Sequence, residues 1–410
     1  MLARAVHTLT SAPLLRLVAC AGVIGWTIAF AIHVPLQHSL VTPNGKPIGG
    51  DFVSGYAAGR LVVNGHGHEL YDLRLQQQTQ GRIVGRPESR TLCSFVNPPV
   101  VAVAFTPLAL LPYRVAYLAY TGMLLAAFLL AFRILRPHLP ALHDCWGTVV
   151  GLAFLLYPLA ITITGGQNTA VTLLLMAAAY AALRRGDDTR AGVMVGLLFF
   201  KPQFALLLCL LLMLRRRYRC VLAAGAVAFA YYLVGALVCG LWWPLEMSRT
   251  LATYWPLEHQ FNGMTSISLI GFCEAVLPAE LCKPVGMTLA ALLTAGLLWT
   301  WRSANPRDAA FPRLWALAVC ATILVSPHTQ WYDGGLVLLA VLLALNDILA
   351  AGQPISTNLR LMLLAGFCLV PLYSQADALG FQPVILLPTL TAIWLLELPR
   401  TAPRAAIVGV

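Results

Sequence analysis

The sequence predicts an all-α polytopic membrane protein: about 10 full spans, a broken-helix hairpin and a long first extracytoplasmic loop. Three observations carry that prediction. Hydrophobic residues make up 59% of the 410 positions and charged residues 10%, whereas a soluble domain is about 25% charged. Apolar runs of bilayer-crossing length recur between short polar segments. Basic residues flank those runs, which is how membrane orientation is written into a chain. Mean hydropathy is +0.77. One integral membrane domain over 1–410 accommodates this, with segments 35–112 and 242–283 outside the cytoplasm. The net charge of +11 belongs to the flanks of apolar runs, and no RNA- or DNA-reading motif accompanies it, so nucleic acid is not an expected partner.

Taken in order, Arg4 and Arg16 accompany the apolar stretch Pro13–Val34. It resembles a signal sequence but is too long, and no small-residue cleavage site follows, so it reads as an uncleaved first helix. The polar segment Pro35–Asn97 follows. Pro98–Pro112 is apolar but broken by Pro, as suits a short helix dipping into the membrane. Spans are expected at Tyr113–Leu135, Trp146–Ile163 and Thr169–Leu183. Gly192–Leu214 is long enough to cross, yet Lys201-Pro202 interrupts its middle. Arg184, Arg185 and Arg190 precede it, and Arg215, Arg216, Arg217 and Arg219 follow. One crossing would put a basic cluster on the wrong side, whereas two half-helices meeting at Lys201-Pro202 keep both on one side. Further spans are expected at Val221–Leu241, Pro284–Trp301, Leu314–Val325, Gly334–Leu349, Leu361–Leu372 and Val384–Leu396. Between Leu241 and Lys283 lies the second outer segment, with a short helix at Ile267–Ala275. With Arg133, Arg136, Arg302, Arg307, Arg313, Arg360, Arg400 and Arg404 grouped on the arginine side, both termini are expected in the cytoplasm.

Of ten cysteines, most lie inside apolar runs and read as small buried hydrophobes. Cys93, Cys273 and Cys282 fall outside, where a disulfide is conceivable. His66-Gly67-His68-Glu69 offers two imidazoles without a third ligand, and no pattern demands a metal or a cofactor.

In this topology the polar islands share the outer face: Asp51; Gly165-Gly166-Gln167-Asn168; Lys201-Pro202-Gln203; Glu258 to Asn262; and Ser326 to Asp333. An acid, a cation and an imidazole at one membrane face are the parts of a reaction site. Each also has a plainer reading. Asp51 precedes the amphipathic stretch Phe52–Val63 and suits an N-cap. Gly-Gly-Gln-Asn suits a turn, and His328 an ordinary loop position. Lys201 is harder to dismiss, because a cation at that depth needs a carboxylate partner, a ligand or a route to water.

The motifs carry a resemblance. Asp51-Phe52-Val53-Ser54-Gly55-Tyr56-Ala57-Ala58, Gly67-His68-Glu69-Leu70-Tyr71-Asp72, Asn97-Pro98-Pro99 with Thr106 to Pro112, Gly166-Gln167-Asn168, and Gly196-Leu197 through Lys201-Pro202-Gln203 occur in an order that resembles glycosyltransferase family 87. Ser266-Ile267-Ser268-Leu269 and Ser326-Pro327-His328 are looser matches, and Asn97 stands where the family has an aromatic residue. The resemblance implies a GT-C type enzyme of a bacterial inner (plasma) membrane, with its site on the periplasmic or extracellular face. Such an enzyme moves a sugar, often mannose and in some cases arabinose, from a polyprenyl-phosphate donor to a lipid or glycan acceptor with inversion. The donor is a substrate, so no cofactor is implied. Asp51 is then expected as general base, with His328 as a second catalytic group holding phosphate or acceptor. Lys201 is expected at the donor phosphate, and Gln167, Asn168, Gln203 and Tyr56 at the substrate. A transporter or lipid flippase is the competing reading, since broken helices and intramembrane charges serve transport too. Against it stand the lack of a clear internal repeat and the grouping of the polar islands at one face.

Overall fold

A computed structural model of the chain describes residues 11–34, 39–42, 47–86, 93–262, 265–357, 359–361, 363–365 and 375–397, without the side chains of 33 and 255–262. Among the described residues the structure is helical, with two isolated bridges, Val41 to Pro47 and Ser266 to Gln330. The helices are α1 Ala12–His33, α2 Phe52–Val63, α3 Leu73–Ile83, α4 Pro99–Ala109, α5 Tyr113–Leu135, α6 Trp146–Leu155, α7 Tyr157–Thr164, α8 Thr169–Arg185, α9 Asp188–Leu197, α10 Pro202–Leu214, α11 Tyr218–Cys239, α12 Trp243–Asn262, α13 Leu269–Val276, α14 Ala279–Trp301, α15 Phe311–Val325, α16 Val337–Ala350 and α17 Leu386–Glu397.

Among the described residues five helices are long and apolar enough to cross a bilayer, or six if the bent pair Pro140–Leu155 and Tyr157–Thr164 counts as one span. This is fewer than the expected ten or so. The difference has local causes. The expected span Trp146–Ile163 breaks at Leu156, where Pro158 opens a new helix, and the two halves bend by 69°. Pro202–Leu214 and Phe311–Val325 are apolar but short. The expected span Leu361–Leu372 lies largely outside the described residues, as do Arg4, Arg400, Arg404 and Cys368. In the second outer segment α12 runs for 20 residues, where the sequence suggested only the short helix now seen as α13.

Burial sorts the helices. Within their most apolar windows, α1 is 6% buried and α11 11%, whereas Trp331–Ala350 is 72% buried. The first two present apolar side chains outward, as a lipid-facing rim does, and α16 with its leading turn fills the interior.

The Lys201-Pro202 break is a true fold-back. Gly192 lies against Cys220 and Ala223, and Gly196 against Ala224 and Val227, so α9 and α11 run parallel. The intervening α10 must return antiparallel. Arg217 accordingly meets Asp188, 2.5 Å away, at the end opposite Lys201. At that same end Arg184 donates to the carbonyls of Pro306 and Asp308 at 2.7 and 2.9 Å. Arg215 donates to Ala304, 2.7 Å, and to Arg302. One arginine from each basic cluster flanking the hairpin therefore binds the 302–308 loop.

In the first long loop, two glutamines do the work of a neighbouring strand. Gln76 gives its amide to the carbonyls of Leu70 and Phe95 and accepts from Phe95 N–H. Gln80 pairs in the same way with Cys93, at 2.7 and 3.0 Å. Four residues of helix rise about 6 Å and two extended residues nearly 7 Å, so successive turns of α3 match alternate residues of segment 93–95. Replacing Gln80 by Leu removes both side-chain hydrogen bonds to the Cys93 backbone. The expected loss is about 2 kcal/mol, read as a lower melting temperature and as faster maleimide labelling of Cys93.

Cys93, Cys273 and Cys282 form no disulfide with one another, so the pairing left open by the sequence is not made. His66 pairs with Glu69 at 2.6 Å, and among the described residues no group of three or more potential ligands gathers around a metal position.

Candidate active site

Four segments converge at the end of the bundle opposite the arginines. The first is the turn before α2. Gly49 and Gly50 take φ of +82° and +54°, and Asp51 N–H donates to Gly165 O at 3.1 Å. A Cβ on Gly50 would sit 3.0 Å from that same carbonyl, so only glycine allows the two turns to interlock. The Asp51 carboxylate accepts from the Gln167 amide. It does not cap α2: Asp51 has φ −72° and ψ −6°, a helical conformation that turns the side chain away from the N–H groups an extended cap residue would reach.

The second segment, Gly165 to Thr169, leads into α8. Gln167 grips Asp51. Asn168 precedes the helix and has a buried side-chain oxygen with no protein partner. Two residues beyond Gln167, at the first position of α8, the Thr169 hydroxyl donates to Asp333 Oδ1 at 3.0 Å.

The third segment is the tip of the α9–α10 hairpin. Lys201 Nζ lies 2.7 Å from Asp333 Oδ1, with the side chains 12% and 4% exposed. The ammonium also faces the rings of Phe204 and Tyr332, 5.4 and 5.8 Å from their centroids. Gln203 donates to the backbone carbonyl of His328 at 3.3 Å.

The fourth is the loop 326–333, which ends in a short 3-10 turn, Trp331–Leu336. It is held from the side by segment 265–268, where Ile267 N–H donates to Thr329 O at 3.0 Å and Thr265 bonds the Gln330 side chain. Ser326 and Gln203 both reach the His328 carbonyl, so His328 is fixed through its backbone and stays half-buried. Trp331 stacks on Tyr157, 5.4 Å between centroids, at the first residue after the α6–α7 bend.

Asp51, Gln167, Asn168, Lys201, Gln203 and His328 thus lie on four segments that hydrogen bonds and chain adjacency bring together in a polar cluster. Tyr56 does not join it. It is 4% exposed, its hydroxyl donates to Leu111 O at 2.7 Å, and its ring packs on Phe52 and Tyr113. Burial raises its phenol above the ordinary value, against a smaller opposing pull from Arg60. Its place is the core beneath Asp51, not the substrate, which corrects the expectation from the motif. The side chains of Glu258 to Asn262 lie outside the described residues. Asp333, Thr169 and Gln330 join the cluster; of these the sequence pointed only to Asp333, as a substitute base. The signal for Asp333 was Lys201 itself, a deep cation in need of a counter-ion. An open depression of about 440 Å³ lies apart from the cluster, between Tyr71–Arg74 and Arg249–Thr253.

The family model for glycosyltransferase family 87 matches residues 95–327, more than half of the chain. The chain belongs to glycosyltransferase family 87. It is therefore a membrane glycosyltransferase, all-helical in its described residues. No curated protein and no solved structure matches it. The matched region of this family 87 glycosyltransferase contains Gln167, Asn168, Lys201 and Gln203 and stops one residue before His328. Asp51 and Asp333 lie beyond it and enter the cluster by contact with matched residues.

Proposed function

We propose that this glycosyltransferase is an inverting, GT-C type enzyme that takes a monosaccharide, mannose or arabinose, from a polyprenyl-phosphate donor. It passes the sugar to a lipid or glycan acceptor at the extracytoplasmic face of a bacterial plasma membrane. The observation that carries this reading is the exposed Asp51 carboxylate, held by Gln167 at the end of the bundle opposite the arginine clusters. Arginines favour the cytoplasmic side, which supports an extracytoplasmic Asp51.

The chemistry follows from the two carboxylates. Asp333 is buried and engaged by a cation and two further donors, so it is ill placed to take a proton. Asp51 is exposed and suits the general base. It removes the proton from the acceptor hydroxyl as that oxygen attacks C1 of the sugar. The bond from C1 to the phosphate oxygen breaks on the opposite face, so a β-linked donor gives an α-linked product. Polyprenyl phosphate leaves with one more negative charge, and the oxocarbenium-like transition state between resembles that of glycoside hydrolysis. Lys201 stands to stabilise the departing phosphate, and His328 to hold that phosphate or orient the acceptor. Asn168, with its unmatched oxygen, and Gln167 and Gln203 suit sugar hydroxyls.

The test offers the purified full chain, in lipid nanodiscs with a membrane lipid extract, three labelled donors: mannosyl and arabinosyl polyprenyl phosphate, and a nucleotide-activated mannose. Transfer is expected from one of the polyprenyl-phosphate sugars, and NMR of the product should show an inverted anomeric centre. Direct use of the nucleotide sugar would refute the donor class, and a retained configuration would refute the single-displacement mechanism.

A further inference from the structure

We propose that Asp333 is a positioning residue for glycosyl transfer: it holds the Lys201 ammonium where the carrier phosphate leaves. This rests on the polyprenyl-phosphate reading above and adds to it a residue outside the matched family region.

The geometry is specific. Lys201 sits at the break between α9 and α10, where its backbone φ of −123° and ψ of 79° ends one half-helix before Pro202 starts the next. Its Nζ is 2.7 Å from Asp333 Oδ1. That oxygen also accepts from Thr169, 3.0 Å, and the other accepts from Gln330 N–H, 3.4 Å. The rings of Phe204 and Tyr332 hold the ammonium further by their electron-rich faces. Such a pair is poorly explained by stability. Burying two charges consumes most of what their attraction returns, and apolar residues of similar volume hold a fold as well. It is better explained by what it leaves available. An ammonium has three N–H donors, so engagement with Asp333 does not exhaust it. Asp333 keeps Thr169 and Gln330 N–H as partners when Lys201 lends part of its charge to a phosphate, so no buried carboxylate is orphaned. The cation is then fixed before the reaction, at the point where charge develops as the bond between C1 and oxygen breaks. Gln167, in the turn before α8, and Thr169, the first residue of α8, keep this pair in register with the Asp51 base.

The experiment compares Asp333→Asn, Lys201→Met, the double variant Asp333→Asn/Lys201→Met, and Thr169→Val, each as the full chain in nanodiscs. It reads the melting temperature, and kcat and KM for the polyprenyl-phosphate sugar that the parent uses. Asp333→Asn and Lys201→Met are expected to lower kcat about 100-fold with a smaller change in donor KM, because the lost interaction belongs to the transition state. Each leaves one buried charge unmatched and is expected to melt lower. The double variant is expected to melt close to the parent yet to transfer no faster than Lys201→Met. If it recovers parental kcat together with stability, the pair serves the fold alone and the proposal is overturned. Should the single variants fail to fold, the double variant still decides, and Thr169→Val, which keeps both charges, is expected to lower kcat roughly five-fold with an unchanged donor KM, about one lost hydrogen bond. Unchanged kcat in Thr169→Val would count against the proposal. A parent that uses no polyprenyl-phosphate donor removes the donor reading instead, whatever the Asp333 variants do.

Discussion

Replacing Asp51 by Asn is expected to lower kcat for sugar transfer by about 10²–10⁴-fold, the usual worth of a positioned general base, and to leave folding almost untouched. The carboxylate is exposed, and its backbone N–H bond to Gly165 O survives the change. An amide keeps the shape of the carboxylate but has no lone pair able to take a full proton, so the fault is confined to chemistry. The measurement is kcat for the parent and the variant, alongside their melting temperatures. Equal rates would clear Asp51 and move the base to His328. Loss of rate together with a large drop in melting temperature would mean that the residue serves the fold.

The second large effect is on stability. Gly166 has φ +72°, and a Cβ there would meet Phe52 Cβ at 2.5 Å, Phe52 N at 2.6 Å and Gly49 O at 2.7 Å. Two of those three atoms are backbone and cannot swing aside. A left-handed conformation costs a residue with a side chain about 1–2 kcal/mol, and forcing an extra methyl into packed structure costs about 1–3 kcal/mol more. Gly166→Ala is therefore expected to destabilise the protein by about 4 kcal/mol, read by thermal unfolding in nanodiscs. The same displacement pushes apart the turns that join Asp51 to Gln167, so transfer should fall as well. A change below about 0.5 kcal/mol would mean that the turns yield, against the strain argued here.

What the sequence revealed depended on how local the cause was. Tyr113–Leu135 is bounded as the apolar run between Pro112 and Arg136 suggests. The fold-back at Lys201-Pro202 was legible because charges on both flanks and a proline within left one consistent arrangement. The bend at Leu156 was not legible, since a proline that starts a helix looks the same in sequence as one tolerated inside a span. Helix α12 was hidden by its alternation of Trp, Tyr and charged residues, which reads as an interfacial loop. In the site, the interlocked glycine turns were visible as turns, but not their mutual contact. Asp51 looked like a cap because an acid before a helix usually is one, and only its backbone angles say otherwise. The partner of Lys201 lies 132 residues away, a separation at which nothing in the pattern fixes which carboxylate it meets. Tyr56 was misplaced because a motif records which residues occur together, not which way a ring faces.

The fold-back of α9 and α10 bears on how this chain threads a bilayer. Two half-helices that enter and leave by the same face add nothing to the tally of crossings, so the parity of the topology is unchanged across 188–214. Segments before Asp188 and after Leu214 then lie at the same end of the bundle, and every later helix keeps the direction it would have without the hairpin. A hydropathy profile that scores this stretch as one crossing inverts everything downstream and sends the 326–333 loop to the opposite side from Asp51. The placing of the two carboxylates at one end of the bundle therefore hangs on a single Lys-Pro step.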